Sequence, residues 1–338
     1  MKPSATLLAC VAILACARAA APPAPGAAED RGVVDLHVDL PYALHARRTP
    51  LDEAQASPRR LAAGGVRTIV TPLFVQGAWA MPPAAVRVAY QETYADLRRA
   101  TERLRAGVLL SFEGADGFAD DPAALDAWMA RGACLVGLVH DRANALGGAS
   151  QDPDPAGRAR GLSEAGRALA ARVVARGALL DVAHASDATF DDLATIARAA
   201  GAPLVDSHTG ARALRDTPRN LDDARLRAIA QTGGVVGISL HGGHVGAVPG
   251  EPPTIADVAA HVVHAVEVAG ASHVALGSDL DGGSDPPAAA DGEAVWPLLE
   301  RELSSRGLPA SSVEAIFGGN ARRVLAWARA HGCTPGAR

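Results

Sequence analysis

The sequence contains almost no lysine. Of its 32 basic side chains, 31 are arginines, and the one lysine is Lys2. A Schiff-base lysine, a phosphate-loop lysine and a carbamylated lysine that bridges two metal ions all need an amine, which arginine does not supply. These three kinds of site are therefore excluded for a chain that has lost its first residues.

Aromatic residues are also scarce, at 4%, and positive charge is not in excess. The chain has 37 acidic residues and a formal net charge of −5. Because nucleic-acid binding relies on cationic side chains that neutralise phosphates, we expect no nucleic-acid partner. With 338 residues, of which 49% are hydrophobic and 20% charged, the composition is that of a globular protein with a substantial core.

Cysteine is rare as well. Cys10 and Cys16 lie near the N-terminus, and only Cys134 and Cys333 lie in the remainder of the chain. Cys134 belongs to an apolar run, so we interpret it as a small buried hydrophobic side chain. Two cysteines this far apart predict no disulfide framework.

Residues 1–21 have the features of an export signal peptide, since Lys2 precedes an apolar run too short to span a bilayer. Small residues allow cleavage after Ala19 or Ala21, whereas the segment ending at Cys16 resembles a bacterial lipobox, in which Cys16 would carry a lipid anchor. We therefore expect an exported protein, either periplasmic or a membrane-anchored lipoprotein of a bacterial envelope. Residues 22–32, rich in proline and alanine, are predicted to form a flexible linker.

Eight apolar runs alternate with amphipathic helical patterns along the rest of the chain. The runs are Val33–Leu40, Val66–Val75, Gly107–Glu113, Ala133–His140, Ala178–His184, Pro203–His208, Gly234–Leu240 and His273–Asp279. The clearest helical patterns are Pro83–Arg105, Ser163–Arg176, Asp187–Ala200 and Thr254–Ala269. This alternation predicts an α/β fold, a single (β/α)8 TIM-type barrel over residues 33–331. An open doubly wound sheet is the alternative, but the glycine-rich turn after its first strand is missing.

Seven polar residues lie at the carboxyl ends of six of these predicted strands, where barrel enzymes build their active sites. They are His37, Asp39, Glu113, His140, His184, His208 and Asp279. Taken singly, each has an ordinary structural interpretation, such as a hydrogen-bonded or exposed histidine. Their joint placement indicates a site for Zn²⁺ or a similar divalent ion. Three histidines, one aspartate and one glutamate are more ligands than one tetrahedral ion uses, whereas two ions that share a bridging carboxylate account for all five.

The motifs that contain these residues resemble those of the membrane dipeptidase (renal dipeptidase) family of amidohydrolase-type barrels. The matching segments are Asp35–Pro41, Ser111–Gly114, Leu138–Asn144, Gly161–Gly166, Leu180–Ser186, Asp206–Thr209, Arg219–Asp223, Gly277–Gly282 and Gly318–Asn320. The resemblance extends over nearly all of residues 33–329. It implies a metal-dependent dipeptidase with two zinc ions per chain.

The resemblance also implies a role for each metal ligand. His37 and Asp39 would hold one zinc ion, His184 and His208 the other, and Glu113 would bridge both. A hydroxide between the ions would attack the peptide carbonyl. The bridging carboxylate agrees with the near absence of lysine, because a carbamylated lysine bridges the metals in many related barrels.

Three further roles follow from the same resemblance. His140 would hydrogen-bond the oxyanion of the intermediate, and Asp279 would move a proton from the bridging water to the leaving amine. Arg219 would pair with the C-terminal carboxylate of the dipeptide. The implied substrates are small dipeptides, including those with a C-terminal D-residue, and the implied assembly is a homodimer. Hydrolysis of lactones or cyclic amides on the same metals is the alternative activity, and a non-catalytic binding protein is a further alternative.

Some residues depart from the family pattern or fall outside it. Val38 stands where the family usually has an asparagine, which raises a question about metal affinity. His241 and His244 follow the seventh predicted strand and are placed to line the mouth of the site. His261 and His264 lie three residues apart on a helix, where we expect a half-exposed face rather than a metal pair.

Overall fold

The computed structural model describes residues 32–283 and 285–333. The predicted signal peptide, residues 1–21, and all of the predicted linker except Gly32 lie outside the described residues. Within the described residues, no helix is both long enough and apolar enough to cross a membrane.

Eight parallel strands form a closed barrel in which each strand pairs with its neighbours in the sequence and the last pairs with the first. The strands are β1 Val33–Asp35, β2 Val66–Leu73, β3 Gly107–Glu113, β4 Ala133–Gly137, β5 Leu179–Asp181, β6 Leu204–Thr209, β7 Val235–Ile238 and β8 Val274–Leu276. The predicted (β/α)8 barrel is confirmed, and each strand lies in a predicted apolar run, except that β6 extends one residue beyond its run.

Helices cover the outside of the barrel. They are α1 Leu40–His45, α2 Pro58–Ala63, α3 Pro83–Thr101, α4 Asp126–Met129, α5 Pro155–Ala159, α6 Glu164–Ala175, α7 Asp187–Ala200, α8 Asp223–Gln231, α9 Gly242–Val245, α10 Ile255–Ala269, α11 Trp296–Ser305, α12 Ala310–Glu314 and α13 Asn320–Ala330. The Thr254 side chain accepts a hydrogen bond from the Asp257 N–H, and the Asp257 carboxylate accepts one from the Thr254 N–H. This capping box fixes the start of α10.

Most strands end before the polar residue that closes each apolar run. Glu113 and His208 lie within β3 and β6, but His37, His140 and His184 follow their strands. The chain therefore leaves the sheet just where its polar side chains turn toward the barrel axis. This is why most strands are shorter than the predicted apolar runs, whereas β3 has the length of its run.

The opposite end of the barrel is closed by α13. A buried cluster contains at least one residue of every strand together with Ala321, Val324, Leu325 and Ala328 of this helix. The helix thus buries its apolar face against the lower interior of the barrel, and the polar residues at the carboxyl ends of the strands are left at the open end.

A disulfide links this closing helix to the barrel. Cys134 at the start of β4 is bonded to Cys333, just after α13, and their Cα atoms are 5.7 Å apart. The interpretation of Cys134 as an isolated buried side chain was wrong. It is buried, but its partner lies 199 residues away in the sequence and is brought close only when α13 packs under the barrel.

We expect reduction of this disulfide to lower the free energy of unfolding by about 5 kcal/mol, because the bond closes a very long loop in the unfolded chain. For a protein of this size that corresponds to a fall in Tm of about 10 °C. Thermal unfolding with and without reductant measures it. The control is a Cys134→Ala/Cys333→Ala double variant, whose Tm should not respond to reductant. An equal Tm for the oxidised and reduced natural chain would contradict the prediction.

Candidate metal centre

The five predicted metal ligands converge at the open end of the barrel, and all five side chains are buried. Glu113 lies at their centre. Its Oε1 atom is 2.9 Å from His184 Nε2, 3.5 Å from His37 Nε2 and 3.5 Å from His208 Nε2. One carboxylate oxygen therefore faces the ring nitrogens of histidines from three different strands.

Two further short contacts join neighbouring ligands. His37 Nε2 lies 3.5 Å from Asp39 Oδ2, and His184 Nε2 lies 3.1 Å from His208 Nε2. Glu113 stands between the pairs. The family resemblance implies the same pairs as ligands of two metal ions, and that assignment stays a prediction.

The donor atoms fit a divalent cation. His37 Nε2 and Asp39 Oδ1 are buried without a hydrogen bond from any described residue. Three overlapping groups, drawn from these ligands with His140 and Asp279, place their ligand atoms within 4.8 Å of one another. Buried nitrogen and oxygen atoms without partners cost free energy, and a cation held between them removes that cost.

The electrostatic field at His37 favours positive charge. Burial tends to lower the pKa of His37, but Glu113 and Asp39 outweigh it and raise the pKa to about 10. Burial tends to raise the pKa of Glu113, but His37 and His140 hold it well below the usual range. The field that would protonate His37 also attracts a metal ion, which binds only the neutral imidazole.

Ser207 orients two of the histidines from behind. Its Oγ atom lies 3.2 Å from His37 Nδ1 and 2.9 Å from His208 Nδ1. These contacts leave both Nε2 atoms directed at Glu113. Ser207 lies in the Asp206–Thr209 motif, but the sequence gives no sign of this role, because the contact with His37 spans 170 residues of sequence.

His140 lies beside this cluster and faces the cavity. Its ring centroid is 4.2 Å from that of His184, and its Nε2 atom is 3.8 Å from Glu113 Oε2. Burial and the neighbouring His184 lower the pKa of His140 to about 4. The imidazole is therefore neutral at pH 7 and has one N–H to donate, as the predicted oxyanion contact requires.

Asp279 reaches the centre from the segment after β8, in an uncommon backbone conformation. Its φ is 63°, and that of His184 is also 63°. Left-handed residues other than glycine store strain that is often found at functional sites. The Asp279 N–H donates to the His37 carbonyl at 3.0 Å, which ties the two strand ends together. Burial and the adjacent Asp39 raise the pKa of Asp279 well above the usual range.

A glycine makes room for these two carboxylates. A Cβ atom on Gly282 would lie 2.4 Å from Asp39 Oδ2 and 2.9 Å from Asp279 Oδ1. Any larger residue would displace both side chains.

Arg219 is buried next to the metal ligand His208 and does not line the cavity. Its side chain is 3% exposed and donates to the main-chain carbonyl of His208. The described residues that line the cavity include Arg142 but not Arg219. The predicted contact between Arg219 and the substrate carboxylate stays a prediction.

The cavity above the centre has a volume of about 600 Å³. His241 and His244 line it, as their place after β7 suggested, and their rings stack at 4.5 Å between centroids. Arg142 lies over the ring of Trp79 at the rim, 5.4 Å from the centroid. A cavity of this volume accommodates a small molecule such as a dipeptide.

Two other histidines serve the fold. His261 is buried, and its Nδ1 accepts a hydrogen bond from the Ala211 N–H at 2.9 Å, so the expected half-exposed position was wrong. His264 Nε2 lies 2.8 Å from Asp223 Oδ1. The segment that precedes α8 therefore packs onto α10, which is why His261 turns inward.

Val38 is completely buried in the main apolar core. Its N–H donates to Val70, and its carbonyl accepts from Thr71 Oγ1 at 2.7 Å. The backbone at this position is thus fixed between the metal ligands His37 and Asp39 without a polar side chain.

Comparisons with known proteins identify relatives. The sequence profile of membrane dipeptidase, peptidase family M19, matches residues 78–332. A dipeptidase of Aspergillus oryzae, aclJ, is 32% identical over 65% of this chain and 51% of its own length. An uncharacterised protein of Klebsiella pneumoniae is 33% identical over 68% of this chain and 85% of its own length. The chain thus spans about half the length of the fungal relative.

Solved structures show the same fold. A metallopeptidase of family M19 described as dipeptidase AC superposes with a TM-score of 0.76 at 22% identity, over 88% of this chain and 98% of that one. A metallopeptidase of Rhodobacter sphaeroides, solved with a phosphinate mimic of L-Ala-D-Ala, gives 0.73 at 21% identity, over 88% and 99%.

Proposed function

The chain belongs to the membrane dipeptidase family, and from this premise we propose that it is a dipeptidase that uses two zinc ions. The observation that carries the proposal is the position of Glu113 Oε1, which faces the Nε2 atoms of His37, His184 and His208. A carboxylate placed between two pairs of ligands is suited to bridge two ions. The solved structures with the same fold include metallopeptidases, which supports the proposal.

Each pair of ligands would hold one ion, and Glu113 would contact both. When bound, the ions would polarise the peptide carbonyl and lower the pKa of a water molecule. The protein supplies the remaining steps. The neutral His140 would donate a hydrogen bond to the carbonyl oxygen as negative charge develops there. Asp279, at the edge of the cavity, would accept the proton of the attacking water and deliver it to the leaving amine.

We infer that the substrates are dipeptides and that a D-residue is accepted at the C-terminal position. The cavity volume suits such a molecule, and the Rhodobacter sphaeroides relative holds a mimic of L-Ala-D-Ala. Arg142 at the rim is the arginine that a substrate carboxylate would meet first. Arg219 would act from behind His208 by its positive charge.

Hydrolysis of a lactone or cyclic amide on the same metals is the second candidate. The observation that favours it is the burial of Arg219, because a substrate without a carboxylate does not need that guanidinium. A substrate panel separates the two activities.

The test uses purified residues 22–338 and a panel of L,L and L,D dipeptides, with a lactone and a cyclic amide alongside. Each substrate is assayed with the protein as purified, after chelation and after zinc is returned. We expect dipeptide hydrolysis to disappear with chelator and to return with zinc, because the chelator removes the metal that acts as Lewis acid. Turnover that persists in chelator would contradict a metallodipeptidase, and turnover of the cyclic substrates alone would favour the second candidate.

We also propose that the protein is exported and then either free in the periplasm or held by a lipid anchor. The Cys134–Cys333 disulfide supports this, because disulfides persist in oxidising compartments and are rare in the cytosol. The intact mass of the protein from its native cells distinguishes an unprocessed chain, cleavage after Ala19 or Ala21, and a lipidated Cys16.

A further inference from the structure

The loop between β4 and α6, residues 138–163, packs against the segment that carries His184. Ala149 forms an antiparallel bridge with Ala185. The Ser150 N–H donates to the His184 carbonyl at 2.8 Å, and the Ser186 N–H donates to the Gly148 carbonyl at 3.0 Å. The loop thus holds the backbone on both sides of this metal ligand.

This support matters because His184 has a left-handed backbone, with φ of 63°. A histidine in this region is strained, and the strain persists only where surrounding contacts fix it. The loop can fold closely on itself at this point because Gly148 has no side chain. A Cβ atom there would lie 2.0 Å from the Arg160 carbonyl oxygen.

The same loop places a carboxylate behind the His184 ring. Asp141 Oδ1 lies 3.1 Å from His184 Nδ1, within hydrogen-bond distance. His184 Nδ1 is buried and forms no hydrogen bond with any described residue, so the Asp141 carboxylate is the acceptor within reach of it. The Asp141 side chain is half-exposed and lines the cavity.

The other two histidine ligands have a different partner. The Nδ1 atoms of His37 and His208 both contact Ser207 Oγ, which is a neutral group. Among the three histidine ligands, therefore, His184 is the one whose Nδ1 faces a carboxylate. A carboxylate on Nδ1 fixes the tautomer of a histidine and makes Nε2 a stronger metal ligand.

We propose that Asp141 is a positioning residue that aligns His184 and strengthens the metal position this histidine shares with His208. The proposal rests on the metal centre of the proposed function and adds to it Asp141, which lies within the Leu138–Asn144 segment but has no role in the resemblance. Asp141 acts through His184 Nδ1, while Nε2, 2.9 Å from Glu113 Oε1, is directed at the metal. His37, which would hold the other ion together with Asp39, has the neutral Ser207 Oγ at its Nδ1 atom instead of a carboxylate.

The test measures zinc affinity of the chain from residue 22 to 338 by competition with a chromophoric chelator. In the Asp141→Ala variant we expect one of two ions to bind 10- to 100-fold more weakly and the other to bind as before, a range typical of lost partners of metal-bound histidines. Asp141→Asn keeps an acceptor without the charge and should fall between. Asp154→Ala is the matched control, since Asp154 lies on the same loop, is exposed and accepts from the Ala156 N–H.

The proposal is supported if the affinity for one ion falls from the natural chain to Asp141→Asn and further to Asp141→Ala, while the other ion and the Asp154→Ala control are unaffected. Unchanged affinity for both ions in Asp141→Ala, with a higher KM, would overturn it and make Asp141 a substrate contact. An equal loss in Asp154→Ala would also overturn it, because disturbance of the loop alone would then be sufficient. If the natural chain binds no zinc, the proposed function fails together with this inference.

Discussion

Replacing Asp279 by asparagine is expected to lower kcat for dipeptide hydrolysis by about 10²- to 10⁴-fold while zinc content stays at its natural value. Asparagine keeps the size of the side chain but cannot accept and release the proton that the reaction must move. The φ of 63° at this position is also better tolerated by asparagine than by most residues, so the fold should be preserved.

The measurement combines steady-state kinetics with metal analysis of the same sample. Asp285→Asn is the matched control, because Asp285 is an exposed carboxylate in the same loop. Normal turnover in Asp279→Asn would remove Asp279 from the proton transfer. Loss of an ion would instead identify Asp279 as a metal ligand, an alternative that its position beside His37 and His208 makes worth testing.

Replacing Glu113 by glutamine is expected to weaken the binding of both metal ions and to abolish activity at limiting zinc. Each affinity should fall by more than about 100-fold, because removing only a hydrogen-bond partner of a metal ligand can already weaken metal binding by that factor. The pKa of Glu113 is held well below the usual range by His37 and His140 despite its burial, so the carboxylate is charged at neutral pH. Glutamine retains the shape but not the charge, and it presents an amide where two cations are to meet.

Chelator competition measures both affinities, and circular dichroism checks that the variant folds. Glu300→Gln on the exposed face of α11 is the control for a charge change far from the site. If Glu113→Gln lost only one ion, Glu113 would be a ligand of that ion and not a bridge. If both affinities were unchanged, the proposed centre would be wrong.

Much of the fold was predictable from the sequence because it depends on local patterns. Eight apolar runs separated by amphipathic segments favour a parallel barrel, and each strand lies in one of these runs, except that β6 extends one residue beyond its run. The helix Asp187–Ala200 has the predicted bounds, since Ser186 caps its start and Gly201 ends it in the left-handed region. The strand ends were less predictable, because the chain leaves the sheet before His37, His140 and His184.

The candidate site was visible in the sequence for a similar reason. A charged or imidazole side chain at the end of a continuous apolar run is costly unless it has a partner, so Glu113 and His184 stood out without any structure. Their common location followed from the rule that parallel strands of a barrel end on the same face. The motifs around them then identified the family.

What the sequence determined by itself, then, is the barrel, the set of candidate ligands and the family, all of which are encoded in short segments. Only the tertiary structure decided which distant groups meet. Cys134 is bonded to Cys333, and His261 is buried against Ala211. Arg219 is buried against His208, and Asp141 lies next to His184. These contacts depend on how loops and α13 pack around the barrel, and no local pattern of residues records the distance between segments so far apart along the chain.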